Sequence, residues 1–519
     1  MAEEAVDPAT LPNRIHQPLD HWARHRPDAP ALIEPGGLAL SYAGFREAAG
    51  AIATILRDAG VRGGDRVTIV NENSIATVVT LFAASLLDAW AVLVNARLAP
   101  PEIDRIRDHA RPRAMVFTHA ISAEAAAHAT RHKAGEAIAT PAGSIRLAGH
   151  LPSEPEPVAA SGECQTAAMI YTSGTTGNPK GAMLSHRNLL FAATSSGRLR
   201  RITSGDFVIQ LVPVSHVFGL SSIFICAITA GAKVLQVPRF APSQLAEALR
   251  SGISVFQGVP AMYAKLLEHL ETTGQSLVAP KLRYISAGGS PLDIDWKRSI
   301  EDRFGLPLNN GYGLTECAAN VAITRLDAPR SDDSIGLPLP GVDMRFVGAD
   351  GRDVADGTIG EIFIKGANVM LGYYRDEAAT RAVLGDDGWF RSGDLGRRGA
   401  DGNLFVVGRA KELIIRSGFN VYPAEVETAL NSHDDVVQSA VIGRKAGGNE
   451  EVVAFVEIKS GCGLDAALLR AHVSGRLAAY KRPQHIFILE KIPASPTGKI
   501  LKASLAPLAE ELIANPSAR

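Results

Sequence analysis

With 519 residues the chain exceeds one hydrophobic core, since single cores stop growing at roughly 250–300 residues, so two or more domains are expected. Lysine plus arginine number 53 against 54 aspartate plus glutamate, and 46% of residues are hydrophobic. That balance excludes a whole-molecule field drawing the chain to nucleic acid or an anionic membrane, and leaves the binding of small anions to local groups.

In chain order, the N-terminal MAEEAVDPATLPNR is acidic and lacks the apolar core of a secretory leader, and the final ANPSAR carries no lipidation or retention pattern. Short β-branched runs at 66–70, 114–118, 168–171, 207–212, 233–237 and 282–286 alternate with Ala/Leu-rich helical patterns such as 45–59 and 242–251. The alternation predicts an α/β fold with largely parallel sheets. Two apolar stretches, 81–96 and 217–235, are too short or too interrupted for the ~20-residue span of a membrane and are expected in the core. A Pro/Gly/Ala-rich connector is expected at 137–163. After about Ile335, glycine-bounded runs at 342–347, 360–365 and 403–407 predict a smaller antiparallel β subdomain, about 335–408. A fresh α/β pattern follows: strand 413–415, helix 424–431, strand 452–458, helix 465–477 and strand 486–489. The expected division is a large N-terminal domain, 1–410, of α/β subdomains plus the β subdomain. A small mobile α+β C-terminal domain, 411–519, follows a junction at 409–412. Cys164, Cys226, Cys317 and Cys462 are far apart and form no C-x-x-C pair. Reduced structural thiols in a cytoplasmic protein are therefore expected.

The run YTSGTTGNPKG at 171–181 supplies hydroxyls at Thr172, Ser173, Thr175 and Thr176, a turn at Gly174 and a cation at Lys180. Backbone N–H groups, hydroxyls and a lysine together make a phosphate cradle. The run is not the common P-loop: Pro179 stands where that pattern needs its second glycine, and Gly181 follows Lys180 in place of Ser or Thr. Ser185 is placed to cap a helix starting at His186. In NNGYGLTE at 309–316, Tyr312 is suited to stack on a base, Thr315 to bond a phosphate oxygen and Glu316 to hold Mg²⁺ through hard oxygens. Further along stand PVSHVFGL at 213–220, SAGGSP at 286–291, WFRSGDL at 389–395, GRAKELIIRSGFNVYPAEVE at 408–427 and PASPTGKI at 493–500.

In this order, over about 18–505, the motifs resemble those of the adenylate-forming superfamily: acyl- and aryl-CoA synthetases, adenylation domains of peptide synthetases and beetle luciferases. The resemblance implies an ATP-dependent carboxylic acid–CoA ligase. It would form an acyl-adenylate with release of pyrophosphate, then an acyl-CoA thioester with release of AMP, using ATP, Mg²⁺ and coenzyme A. It implies contacts to nucleotide by the Gly/Thr loop, Gly289, Tyr312, Gly313, Thr315, Asp394 (ribose) and Arg409, with Glu316 on the metal. It implies a hinge at Lys411 and a CoA tunnel at Ser417, Gly418 and Phe419. The acyl pocket would be lined by His216 as gate, Phe218, Gly219, Gly288, Gly311 and Cys317. Lys499 matches the catalytic lysine, and the physical need is plain. A carboxylate must attack a negative α-phosphate, and a positioned cation offsets the repulsion. Lys502 stands where the superfamily often has arginine.

The expected substrate is a fatty or aryl monocarboxylic acid. A dicarboxylate of malonate or oxalate type is the alternative, and would need a buried cation for its second carboxylate. None of the three pocket motifs contains arginine, and Arg239 lies just outside. Gly219, Gly288, Gly289, Ala318 and Ala319 read as room for an apolar chain or ring. A carrier-protein thiol is the alternative acceptor, and a homodimer a candidate assembly.

Overall fold

The computed structural model describes residues 5–172, 180–289, 292–416, 419–446, 449–459, 461–494 and 500–514. Two large sheets carry most of the chain. In the first, Ala114–Phe117, Arg66–Asn71, Trp90–Asn95 and Thr166–Thr172 run parallel. Lys180–Ser185 and Gly372–Tyr373 extend it antiparallel on one side, Gly143–Ala148 and Ile138–Thr140 on the other. Arg66–Asn71 and Trp90–Asn95 are buried at every position, as parallel strands covered on both faces are. Helix Ile75–Leu86 connects them, capped by Ser74, whose Oγ accepts from Thr77 N. It is apolar nearly all round and contributes about 1.5–3 kcal/mol for each large aliphatic side chain it buries.

In the second sheet, Pro30–Ile33, Lys233–Gln236, Phe207–Gln210, Val255–Gly258, Tyr284–Ala287 and Leu308–Tyr312 run parallel. The last two deliver the SAGG and NNGY residues to the C-terminal edge, where ligands of such sheets bind. A third, antiparallel sheet comprises Val342–Val347, Gly360–Gly366, Phe390–Arg398 and Leu404–Arg409. Beyond the turn Ala410–Glu412, hairpin Ile414–Arg416/Phe419–Val421 precedes a three-stranded sheet of Val436–Ala446, Asn449–Ile458 and His485–Leu489. Its apolar clusters draw on this end of the chain, with Ile414, Leu430, Val456 and Leu469 in one and Phe455, Phe487 and Leu505 in the other. The α/β class, with a large N-terminal and a smaller C-terminal part, is the one expected.

Three segments differ from expectation. The 137–163 stretch is not a plain connector, because its first part pairs as Ile138–Thr140 and Gly143–Ala148. The 81–96 run splits at Asp88, which takes φ 54°, into the end of one helix and strand Trp90–Asn95. The 217–235 run becomes a π-helix Phe218–Ile225, a short α-helix Cys226–Thr229 and strand Lys233–Gln236. Periodicity cannot divide a short buried helix from a buried strand. No described helix is long and apolar enough to cross a membrane.

Burial also sets an acid limit on the fold. His186, at the start of helix His186–Leu199, is fully buried and its Nδ1 accepts from Ile15 N at 3.1 Å. Burial, reinforced by Arg14, holds its pKa well below the ordinary value, and burial lowers that of His16 too. Below about pH 6.5 the unfolded chain takes up protons that these folded rings refuse, so stability is full above that pH and falls as pH drops. The urea midpoint is expected to fall between pH 7.5 and 5.5, as the unfolding free energy drops below about pH 6.5 by up to about 1.4 kcal/mol per pH unit for His186. A midpoint flat across that window would contradict this.

Candidate active site

The Gly/Thr run is the connection of a hairpin: Thr166–Thr172 pairs antiparallel with Lys180–Ser185, and Thr172 faces Lys180. Ser173, Gly174, Thr175 and Thr176 lie outside the described residues, as do Ser417, Gly418 and Lys499. Ser185 caps the following helix as expected, its Oγ accepting from Asn188 N at 3.0 Å. Segment 368–374 stitches this hairpin to the Glu316 loop. Tyr374 N donates to Gly181 O and Met370 N to Glu316 O, both at 2.8 Å. Tyr373 Oη donates to Glu316 Oε1 at 2.8 Å, and Lys180 Nζ sits 5.0 Å from the centre of the Tyr373 ring. Burial and the Glu316 carboxylate push the Tyr373 phenol far up, so it stays a neutral donor.

A second group forms where the third sheet meets the second. Tyr312 Oη donates to Asp394 Oδ2 at 2.6 Å, and Arg409 Nε lies 3.1 Å from Asp394 Oδ1. Asp394 and Arg409 face each other across neighbouring strands, so the register itself brings the pair together. Ser392 Oγ accepts from Asp394 N at 3.0 Å and donates to Ile362 O at 2.7 Å, fixing the aspartate backbone. Asp394 is only 6% exposed, so this carboxylate is shielded from bulk water. Burial and Asp394 push the Tyr312 phenol well above its ordinary value.

On the acyl side, His216 is half-buried and its Nδ1 accepts from Phe218 N at 3.2 Å, an arrangement that puts a neutral ring's proton on Nε2. A side chain at Gly288 would meet only the Phe218 ring, at 3.6 Å, so the ring packs directly over this glycine at ordinary van der Waals distance. Gly289 takes φ +84°. Not every small residue here makes room. A Cβ at Gly219 would stand 2.3 Å from Pro213 O, one at Gly311 3.1 Å from Ile323 Cγ2 and one at Gly313 1.3 Å from Ala319 O. These glycines allow backbone to pack on backbone, and Cys317 and Ala318 are fully buried behind them. Burial first, then Glu316, pushes the Cys317 thiol well up, so it is no nucleophile at neutral pH. Thr315 is nearly buried on the turn Thr315–Cys317, and Ala318 and Ala319 follow at φ 50° and 79°. Lys411 is exposed on the turn Ala410–Glu412. Phe419 is 56% exposed and stacks on Tyr480 at 4.8 Å.

Residues 19–374 match the family model described as AMP-binding enzyme, and residues 425–499 match the AMP-binding enzyme C-terminal domain. The chain belongs to the adenylate-forming, AMP-binding enzyme family. A feruloyl-CoA synthase of Amycolatopsis sp is 35% identical over 497 residues, covering 94% of this chain and 99% of that one. The ATP-bound crystal structure of MatB from Rhodopseudomonas palustris is 30% identical, with TM-score 0.82 over 95% of this chain and 99% of that one. The structure of o-succinylbenzoate coenzyme A synthetase (MenE) from Bacillus subtilis with ATP and magnesium is 27% identical, with TM-score 0.80 over 94% and 98%. The protein is an AMP-forming acid–CoA ligase that uses ATP, Mg²⁺ and coenzyme A.

In this ligase the Glu316 carboxylate suits magnesium: Oε1 takes a neutral phenol donor, and Oε2 is left as a hard anionic oxygen. No group of three His, Cys, Asp or Glu side chains gathers as a cage among the described residues. Mg²⁺ shared with phosphate oxygens needs none. Tyr373 was not legible in sequence. Its one local signal is Gly372 before it, at φ +140°. Arg239 is no spare cation, since Glu72 accepts from its Nε at 2.8 and 3.0 Å and Glu124 from its Nη2. Replacing Gly313 by Ala is expected to destabilise the ligase by more than the ~1–3 kcal/mol of ordinary overpacking, because the obstacle is a backbone carbonyl. A denaturant midpoint unchanged from wild type would refute that.

Proposed function

We propose that residues 1–410 form the adenylating domain and residues 411–519 a mobile domain turning about Lys411. ATP lies along the Gly/Thr loop, with Thr172, Lys180 and Thr315 on phosphate oxygens, Tyr312 and Gly289 beside the base, and Asp394 with Arg409 on the ribose. Mg²⁺ on Glu316 supplies positive charge to the phosphates. The acid enters past His216, with its chain or ring beside Phe218 and Gly288. Its carboxylate oxygen attacks the α-phosphorus, Lys499 offsets the charge, and pyrophosphate leaves. The small domain then turns, Lys499 withdraws, and the loop with Ser417, Gly418 and Phe419 guides the CoA thiol to the carbonyl.

The observation that carries this reading is the Tyr312–Asp394–Arg409 group beside the Glu316 loop. Three residues far apart in sequence meet at one carboxylate. The frame around Lys499 supports its part. Ala494 bridges Ile500, Leu501 N donates to Pro493 O at 2.9 Å, and Lys502 Nζ lies 2.8 Å from both Glu412 and Glu427. Lys502 thus ties the end of the lysine loop to the hinge turn, in place of the phosphate contact an arginine there would suggest. The feruloyl-CoA synthase relative is named for an aryl acid, which supports an aryl acid as substrate here. Reduced, buried thiols at Cys226 and Cys317 fit a cytoplasmic enzyme, acting as monomer or homodimer. With an acid that supports pyrophosphate release, free CoA is expected to accept the acyl group over many turnovers. Transfer to carrier-protein pantetheine but not to free CoA would overturn the assignment of the acceptor.

A further inference from the structure

Arg200 follows helix His186–Leu199 and is only 4% exposed. Its Nη1 donates to Ser222 Oγ at 2.9 Å, Ser222 O at 3.0 Å and Ser196 Oγ at 3.4 Å, and its Nη2 donates to Asn320 Oδ1 at 3.0 Å. All four acceptors are neutral. Among the described residues no carboxylate lies within ion-pair reach of this guanidinium, and its buried Nε has no acceptor. A buried cation without a counter-ion is costly. The neighbouring arginines are matched: Arg239 by Glu72, and Arg283 by Asp206. The fully buried Arg66, by contrast, is saturated. Arg66 donates from Nε, Nη1 and Nη2 to the carbonyls of Ala110, Gly64, Glu154 and Arg111.

The acceptors around Arg200 place it at the far end of the acyl side. Ser222 lies about one turn beyond Phe218 on the π-helix, an element found mostly at functional sites. Gln257 bonds Ser222 and precedes Gly258, whose carbonyl receives Gly288 N at 3.2 Å. Asn320 stands on the loop after Glu316, and its carbonyl receives Asn368 Nδ2 at 2.9 Å. Ser221 Oγ, fully buried beside Ser222, also has no partner. The elements that carry Phe218 and Gly288 therefore converge on one cation whose charge no described protein group neutralises.

We infer that Arg200 is the counter-ion for a second anionic group, a carboxylate or sulfonate, at the distal end of the acid substrate. This rests on the acid–CoA ligase reading above. The guanidinium edge formed by Nε and Nη2 is the two-donor fork that such an anion accepts through two oxygens. The substrate is then an acid with two anionic ends, one activated beside Lys499 and the other held by Arg200, with its spacer against Phe218.

Pyrophosphate release measured with matched acids tests this: each ω-carboxy or ω-sulfo acid against its neutral methyl ester. The anionic member is expected to show about a hundredfold or greater kcat/KM, because an ester would leave the buried charge unpaired. Carboxylate and sulfonate arms identify the anion. Arg200→Met is expected to remove the preference while neutral acids keep their turnover, and Arg200→Lys to retain part of it. Equal or better turnover of the neutral members by wild type would overturn the inference. So would an Arg200→Met enzyme that loses charged and neutral substrates in equal ratio. Where Arg200→Met does not fold, Arg200→Lys decides: a reduced preference supports the inference and an unchanged one overturns it. Turnover of neutral acids alone would sink this inference and leave the ligase reading standing. Pyrophosphate release with no acid at all would sink both.

Discussion

Lys499→Ala is expected to slow adenylate formation by about a thousandfold, the upper end of what losing one transition-state charge contact costs. Thioester formation from supplied acyl-adenylate is expected to stay near the wild-type rate, because the proposed role of Lys499 is confined to the first step. The frame around the loop predicts this separation. The ends of the loop are held by the Ala494–Ile500 bridge and by Lys502 between Glu412 and Glu427. Neither restraint uses Lys499, so the substitution leaves both in place while removing a charge. Single-turnover kinetics of each half-reaction, read separately, check it. Equal loss in both would show that Lys499 acts in binding or folding and not on the attacking carboxylate.

Glu316→Gln is expected to cost the next largest factor, about a hundredfold in adenylation at limiting Mg²⁺, partly recovered as the metal concentration rises. The amide is nearly isosteric but lacks the anionic oxygen. Tyr373→Phe removes only the hydrogen bond that orients Glu316, so about a tenfold loss of apparent Mg²⁺ affinity is expected, with kcat at saturating metal little changed. Magnesium titrations of both variants separate the metal site from the nucleotide site. A Glu316→Gln enzyme with unchanged Mg²⁺ dependence would remove Glu316 from the metal.

Much of the frame was legible from residues alone. Val342–Val347 falls where glycine-bounded alternation placed it, and Arg66–Asn71 and Tyr284–Ala287 lie within two residues of expectation. These runs are short and bounded by turn residues, which favours strands over helices. The π-helix Phe218–Ile225 was not legible, because its apolar residues have no period that distinguishes it from a strand. The pairing of Asp394 with Arg409 follows from strand register, and that of Tyr312 with Asp394 from the meeting of two sheets; motif order hints at both and dictates neither. Glycines misled in part. Gly219, read as room for the acid, instead lets the Pro213 carbonyl approach closely, and Gly288 lies under the Phe218 ring. Arg200 was hidden in the basic run RLRR at 198–201, which reads as a solvated helix end. Only the tertiary fold turns one of those side chains inward while Arg201 stays exposed.

Oxygen transfer distinguishes attack at the α-phosphorus from attack at the γ-phosphorus. An accepted acid carrying ¹⁸O in both carboxylate oxygens is turned over with ATP and CoA, and the phosphorus products are analysed by mass. Attack of the carboxylate on the α-phosphorus, followed by expulsion of AMP by the thiol, moves one ¹⁸O into AMP and none into pyrophosphate. Label in inorganic phosphate, with ADP as the nucleotide product, would mean attack at the γ-phosphorus and would contradict the account.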